Sequence, residues 1–273
     1  MPINPTFIND LTEQKTVDRQ ITPSDVLSIG ANDTLTALSL YQEYLEQQLG
    51  GHQSMWMAAY RGKYGRDFWQ TELMDGWKVI DISTPLRGHL DYETEKALYF
   101  EAAKQTGLDP HAKFTIAHAG STRVHTTNQV IGDVDWETHW MRERLTSQGA
   151  GERIVGVLNL GPITESVFIV DRPVDSPRFD DTDAEKLMQA LTDCHRLHYW
   201  LMLERGLTSG ATRPFSPKER LVVQQLLTPN NESEIADRLE LSPGVLHNYV
   251  TDIYRTMSVN SRHEFVQLWL SNL

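Results

Sequence analysis

The sequence predicts an α+β fold for about the first 205 residues, followed by a small all-helical domain, and three observations lead to this prediction. Strand-like and helix-like segments of the first part do not alternate regularly, as a parallel doubly wound sheet would require. Two apolar strand-like segments meet around Gly161-Pro162, which is typical of an antiparallel hairpin. The last sixty or so residues carry apolar side chains at helical spacing throughout.

Composition limits the classes of protein to consider. The chain has 273 residues, of which 40% are hydrophobic and 23% charged, as in a soluble globular protein of one large or two modest domains. Its net charge of −12 gives no overall attraction to nucleic acid or to an anionic membrane, so any such binding must be local. The single cysteine, Cys194, excludes a disulfide within the chain.

We expect a cytoplasmic protein that does not associate with membranes. The N-terminus lacks the basic start and apolar block of a signal peptide, and no apolar run approaches the roughly 20 residues that cross a bilayer.

The elements of the first part follow from local patterns. A helical stripe ended by Gly50 predicts a helix over 34–49; its members are Leu35, Leu38, Tyr41, Leu45 and Leu49. Strands are predicted over 54–62, 67–73, 76–83 and 112–120, and a helix over 92–107. The hairpin around Gly161-Pro162 completes the antiparallel sheet.

A long exit helix is predicted over about 181–205, capped by Asp180 or Thr182. Its apolar stripe consists of Leu187, Leu191, Cys194, His198 and Leu201. Residues 187, 194 and 201 lie a heptad apart, which leaves two interpretations open. The stripe packs on its own sheet, or it also seals a homodimer.

A joint rich in glycine, serine and threonine follows the exit helix at 206–213 and predicts a short flexible linker. The domain limits expected from this break are 1–205, 206–213 and 214–273.

Four helices are predicted after the joint. Ser216, Pro217 and Glu219 form a capping box at the start of the first. The second covers "ESEIADRLE", the third starts at Ser242-Pro243, and the fourth covers "SRHEFVQLWL". Two short helices joined by a tight turn describe helix-turn-helix geometry, although the pattern alone fits a small scaffold bundle equally well.

The stretch from Phe215 to Leu270 resembles the LuxR-type (GerE-like) DNA-binding domain through "SPKER", "EIADRLELSP" and "IYRTMSVNSR", followed by Glu264. The resemblance implies a domain that docks its third helix in the major groove of double-stranded DNA, usually as a dimer. It also implies which residues would face the edges of the DNA bases: Gly244, Val245, His247, Asn248 and Thr251. Phosphates would be met by Arg255, by Asn231 and Ser233 in the second helix's first turn, and by Ser242.

The charge of this region departs from the family. Ser233, His247 and Thr256 stand where such domains commonly carry lysine. Residues 214–273 contain five Lys and Arg against seven Asp and Glu. Few phosphates would be neutralised, so we expect weak affinity as a monomer and dependence on a homodimer. The alternative is a protein–protein adaptor that retains the scaffold. Glu219 and Arg262 are expected to form a structural salt bridge.

The end of the first domain is similar to the last strands and exit helix of GAF domains, and a PAS-like fold is the alternative. Aromatic side chains could line a pocket for a small-molecule effector or form ordinary core; they are Trp56, Tyr60, Phe68, Trp69 and Trp77. Cys194 and His198 are too few to make a metal site. The sequence shows no catalytic constellation, so we expect no enzyme, metal or cofactor.

Overall fold

A computed structural model of the chain describes residues 20–62, 74–83, 107–132, 136, 138–208 and 210–271. Up to the exit helices, the elements in chain order are α1 (Pro23–Gly30), α2 (Thr34–Leu49), β1 (Gln53–Arg61), β2 (Trp77–Ser83), α3 (Pro110–Ala117), β3 (Arg123–Thr126), α4 (Thr127–Ile131), α5 (Trp140–Ser147), β4 (Ala150–Gly161) and β5 (Thr164–Pro173). The strand expected at 67–73 and the helix expected at 92–107 lie outside the described residues, apart from Gly107.

The later elements are α6 (Asp181–Asp193), α7 (His195–Leu203), α8 (Pro217–Leu226), α9 (Glu232–Arg238), α10 (Pro243–Met257) and α11 (Arg262–Leu270). Across the described part of the chain, every helix is too short or too polar to span a membrane.

The strands form one antiparallel sheet in the order β2-β1-β5-β4-β3, which confirms the α+β prediction. Directly paired residues lie on the same face, so the register separates two faces. We define the first face by Trp56, Phe168 and Ile154, and the second face by a row from His125 through Val155 and Ile169 to Met55.

The first face packs against α2, α6 and α7 and makes the main core of the N-terminal domain. Gly156 lies on this face in β4, where a Cβ atom would come within 2.9 Å of the Leu187 side chain. Glycine therefore allows α6 to approach the sheet closely, and this contact uses the stripe that was expected on the exit helix.

The exit helix is broken at Cys194, which ends α6 and begins α7. The whole stripe from Leu187 to Leu201 is buried in the chain's own core. The stripe therefore packs on its own sheet, and the interpretation that it also seals a dimer is wrong, because no face of it is left to meet a second copy.

The strand expected over 112–120 is wrong, since residues 110–117 form the helix α3. The Asp109 side chain accepts a hydrogen bond from the Ala112 backbone N–H, and Pro110 occupies the first turn. Both are helix-start signals. Pro110 therefore opens a helix at the place where the apolar pattern predicted a strand.

The C-terminal domain contains the four helices that were expected, α8 to α11, around one apolar cluster. The Ser216–Glu219 capping box is present, and Ser242 caps α10 through the backbone N–H of Val245.

The described residues of the joint contact both domains, and the expected linker and domain limits stay a prediction. Leu207 is buried in the N-terminal core. The backbone N–H of Thr212 donates to the Thr256 carbonyl at 2.9 Å, and that of Phe215 donates to the Arg205 carbonyl at 2.9 Å.

Candidate nucleic-acid interface

Helices α9 and α10 form the helix-turn-helix unit. Asn231 caps α9 by accepting from the Glu234 backbone N–H, and Ser242 caps α10. Between them the chain turns at Glu240, whose φ of 55° lies in the left-handed region. The inward sides of the two helices are buried in the apolar cluster; the residues are Ile235, Ala236, Leu246, Val250, Ile253 and Met257.

The outward side of this unit carries all of the residues that the family resemblance assigned to DNA. Every one of them is exposed: Asn231, Ser233, Ser242, Gly244, Val245, His247, Asn248, Thr251 and Arg255. All nine are therefore accessible on the outside of the unit, and we call this set of residues the DNA face. Val245 is a large apolar side chain in this set, and 43% of it is exposed.

Acidic side chains accompany the two most basic positions of the DNA face. His247 Nδ1 lies 3.6 Å from a Glu232 carboxylate oxygen, and Arg255 lies 3.2 Å from Asp252. A groove of about 450 Å³ runs between them and is also lined by Tyr254. The exposed pair of Arg255 with Asp252 is weak, so a phosphate can compete for Arg255.

The expected salt bridge between Glu219 and Arg262 is absent, and each residue has other partners. Glu219 pairs with Arg213, which holds the pKa of Arg213 above its usual range. Arg262 instead donates to the carbonyl of Leu226, the last residue of α8, at 2.8 Å, and to the carbonyls of Thr228 and Asn230 after it. Arg262 therefore ties the end of α8 to the start of α11 by satisfying carbonyls that a helix end leaves open.

The aromatic residues expected to line a ligand pocket do not share one surface. Trp56 and Tyr60 belong to the first face, and Trp56 Nε1 donates to Ser166 Oγ at 2.8 Å within the main core. Trp77 lies on the second face, since it pairs with Arg61 in β1. Phe68 and Trp69 lie outside the described residues. Trp56 and Tyr60 are thus packed in the main core, and their assignment to a ligand pocket stays a prediction.

His198, next to Cys194 in the stripe, is a buried core histidine. Its ring nitrogens face Ser166 Oγ at 2.8 Å and Tyr41 Oη at 3.4 Å. Burial lowers the pKa of His198 to about 3 and raises that of Cys194 to about 12. Within the described part of the chain, no three His, Cys, Asp or Glu side chains are placed to hold a metal ion.

Sequence reasoning missed two groups of side chains. One is a charged cluster between the domains, formed by Asp81, Arg205 and Arg220. The other is a buried pair of histidines on the second face, His111 and His125. Neither gives a local signal, because their members come from separate elements.

Comparisons with known proteins agree with the helix-turn-helix geometry. Residues 213–269 match the family described as bacterial regulatory proteins, luxR family (GerE). No curated protein matches the chain.

Among solved structures, the chain is similar to Escherichia coli SdiA, at 14% identity and a TM-score of 0.41, over 97% of this chain and 94% of that one. It is also similar to the LBD domain of Pseudomonas aeruginosa VqsR, at 7% identity and a TM-score of 0.42, over 72% of this chain and 99% of that one. A third is GAF3 of Slr1393 from Synechocystis, at 9% identity and a TM-score of 0.37, over 63% of this chain and 98% of that one.

Two capped helices, an exposed polar surface on the second of them, and the match over this same stretch lead to one conclusion. Residues 213–269 are a DNA-binding domain of the luxR family of bacterial regulatory proteins.

Proposed function

We propose that the chain is a one-component transcription regulator, in which residues 214–273 bind double-stranded DNA and residues 1–205 form a sensory domain for a small-molecule effector. The observation that carries the DNA-binding part is the DNA face. Each of its nine residues is exposed, while the opposite sides of the same helices are buried. Such a surface fits the major groove, which admits one α-helix.

Roles within the DNA face follow from side-chain chemistry. Asn248 lies in the first half of α10 and carries an amide that can make paired contacts with an adenine edge. Arg255 lies two turns further along and is suited to phosphate. The capped N-termini of α9 and α10 add backbone N–H groups that favour anions. These neutral donors support binding where fixed positive charge is scarce.

We also propose that the chain binds DNA as a homodimer. Of the five arginines and lysines in 214–273, Arg220 and Arg262 are engaged with the protein itself. One copy therefore offers few cations to phosphate, and two copies would double the number of contacts. Sedimentation velocity at micromolar concentration, with and without a selected DNA site, tests this, and a monomer in both conditions would contradict it.

The roles on the DNA face are tested with the full chain and DNA sites selected from a random pool. Asn248→Ala should relax base preference, because one paired base contact is worth about 1–3 kcal/mol. Arg255→Ala should weaken binding to all sequences about equally and reduce the salt dependence. Lys218→Ala, at an exposed position outside the DNA face, is the control. If the pool yields no bound DNA, the adaptor alternative replaces this proposal.

A further inference from the structure

The DNA face contains a large apolar side chain that the core of the C-terminal domain does not use. Val245 lies in the first turn of α10, and 43% of it is exposed. The apolar cluster of this domain takes other side chains of the same helix: Leu246, Val250, Ile253 and Met257. Val245 is therefore available to a partner on the outside of the domain.

The backbone and the side chain of Val245 are both held in place before any partner binds. The Val245 backbone N–H donates to Ser242 Oγ at 3.3 Å, which is the cap of α10. A β-branched side chain in a helix has one strongly preferred rotamer. The two methyl groups of Val245 therefore lose little conformational freedom when a partner covers them.

Gly244, the residue before Val245, leaves the first turn of α10 open on its outer side. A Cβ atom added at Gly244 would meet nothing within 4 Å, so no neighbouring atom of the protein requires glycine at this position. Its effect is to remove a side chain that would otherwise stand beside Val245. A partner can then approach Val245 closely.

Asn248, which carries the proposed contact with an adenine edge, is a neighbour of Val245 on the helix surface. The two residues are three positions apart, and side chains at this spacing lie on the same side of a helix. Both are exposed, and both lie outside the lining of the groove that His247 and Arg255 share with α9. Val245 and Asn248 therefore meet the same part of a DNA duplex when α10 lies in the major groove.

The chemistry of the major groove determines what an apolar side chain can contact there. The base edges present hydrogen-bond donors and acceptors, and the apolar group among them is the C5-methyl group of thymine. Valine offers no hydrogen bond, so covering a donor or an acceptor would leave that group without a partner. Contact with the methyl group instead removes apolar surface of both molecules from water, which is favourable.

We propose that Val245 determines part of the sequence specificity by contacting the C5-methyl group of a thymine, which lies within about two base pairs of the adenine that Asn248 contacts. Three residues of a helix span about 4.5 Å along its axis, and stacked base pairs are about 3.4 Å apart, so the two contacts fall on the same or neighbouring base pairs. This proposal rests on the DNA-binding function proposed above and names one feature of the DNA sequence that this function requires.

Deoxyuridine tests the contact, because it lacks only the C5-methyl group of thymine and forms the same base pair. In a site selected from a random pool, each thymine is replaced in turn, and binding of the full chain is measured by fluorescence anisotropy. The wild type should lose about 2–5-fold in affinity at a thymine close to the adenine at which Asn248→Ala relaxes base preference, as expected for one methyl group. A selected site without such a thymine, or no loss at any thymine, would overturn the proposal.

Val245→Ala separates a contact with the methyl group from an effect on the fold. Alanine favours a helix at an exposed position, so the domain should stay folded. The variant should bind the thymine site about 2–5-fold more weakly and should lose the difference between thymine and deoxyuridine at that position. A difference as large as in the wild type would mean that another group contacts the methyl, and the proposal would fail. Leu221→Ala is the matched control, since it shortens an apolar side chain that is 51% exposed on α8, outside the DNA face, and it should keep the wild-type difference.

The same measurements distinguish failure of this proposal from failure of the proposed function. If the full chain binds the selected site but responds equally to thymine and deoxyuridine, the DNA-binding function stands and Val245 contacts no methyl group. If the pool yields no bound DNA, the DNA-binding function is wrong, and the role of Val245 is wrong with it.

Discussion

One acidic side chain, Glu232, lies beside the residues that are expected to contact DNA. Its carboxylate is 3.6 Å from His247 Nδ1, and about half of its side chain is exposed. Glu232→Gln should tighten DNA binding by about 2–5-fold at low salt, because an exposed charge interaction is worth up to about 1 kcal/mol. Fluorescence anisotropy at several salt concentrations measures this.

The matched control is Glu185→Gln, which changes the net charge equally at an exposed position on α6. A gain of the same size in both variants would show that net charge, and not the place of Glu232 on the DNA face, is responsible.

The buried histidines should make the fold sensitive to acid. In the folded chain His198 has a pKa of about 3 and His125 of about 4, below the value near 6.5 of an unfolded histidine. Between these values the unfolded state binds more protons. Stability is therefore fully present above pH 6.5 and is lost as pH falls, by about 1.4 kcal/mol per pH unit for each histidine.

Urea unfolding from pH 7 to pH 4.5 measures this slope. His125→Phe should make it shallower by about one histidine's share, whereas the exposed His195→Gln should leave it unchanged. An unaltered slope in His125→Phe would contradict the assignment of a depressed pKa to His125.

Helical periodicity was enough to predict which single residues are exposed, as for His247 and Asn248 on α10. It was not enough to predict which charged side chains form ion pairs. Glu219 was expected to meet Arg262, but Arg213 is six residues away in the chain and reaches the same carboxylate. The histidine pair could not be foreseen either, because His111 lies on a helix start and His125 on a strand that only the fold brings together.

At the scale of elements, capping chemistry was the most reliable guide. Asp180, Ser216 and Ser242 cap the helices that they were expected to cap. The error at α3 arose because apolar and polar residues alternate from Ala112 to Ile116, which mimics a strand, whereas Asp109-Pro110 is a helix-start signal. For a helix of only eight residues, the capping signal is a better guide to the structure than a short alternation of apolar and polar residues.

The turn of the helix-turn-helix unit holds a non-glycine residue in the left-handed region, Glu240 with φ 55°. This conformation costs a residue with a Cβ atom about 1–2 kcal/mol. Replacing Glu240 by glycine removes this cost, but part of the gain is offset because glycine has more conformational entropy in the unfolded chain. Glu240→Gly should therefore stabilise the C-terminal domain by about 0.5–1 kcal/mol in urea unfolding. Glu240→Ala removes the charge but keeps the Cβ atom, so a similar gain there would contradict the backbone explanation.

At the scale of the whole molecule, the two domains are packed together with the DNA face left open. Trp200 in α7 stacks on Trp269 in α11, with ring centroids 5.7 Å apart. Trp269 Nε1 in turn donates to the Ala31 carbonyl at 3.1 Å. This docking fixes the orientation of the DNA face relative to the N-terminal domain. It does not cover the DNA face, because the outward side of α10 stays exposed. A second copy would have to match that direction for both faces to meet one DNA duplex.

Asp81 is the charged centre of this contact. Its carboxylate accepts from Arg205 at 2.7 Å and from Arg220 at 2.8 Å, and so joins β2 to the exit of the N-terminal domain and to α8 of the C-terminal domain. The Arg205 side chain is 4% exposed, that of Arg220 18% and that of Asp81 28%. Glu204, also buried, lies 3.4 Å from Arg205 and accepts from Thr34 at 2.6 Å.

Asp81→Asn should therefore loosen the docking. It leaves two largely buried guanidinium groups without their shared carboxylate, and breaking such a contact costs about 2–4 kcal/mol. Two changes are expected: a lower urea midpoint, and a broader distribution of distances between spin labels on exposed residues of the two domains, Gln47→Cys and Gln267→Cys in a Cys194→Ser background. Asp75→Asn removes the exposed pair with Arg61 beside the same strand and is the control, with little change expected in either measurement. If Asp81→Asn lowers the urea midpoint but leaves the distances as narrow as in the control, the tryptophan stack alone holds the domains and the charged centre only stabilises β2.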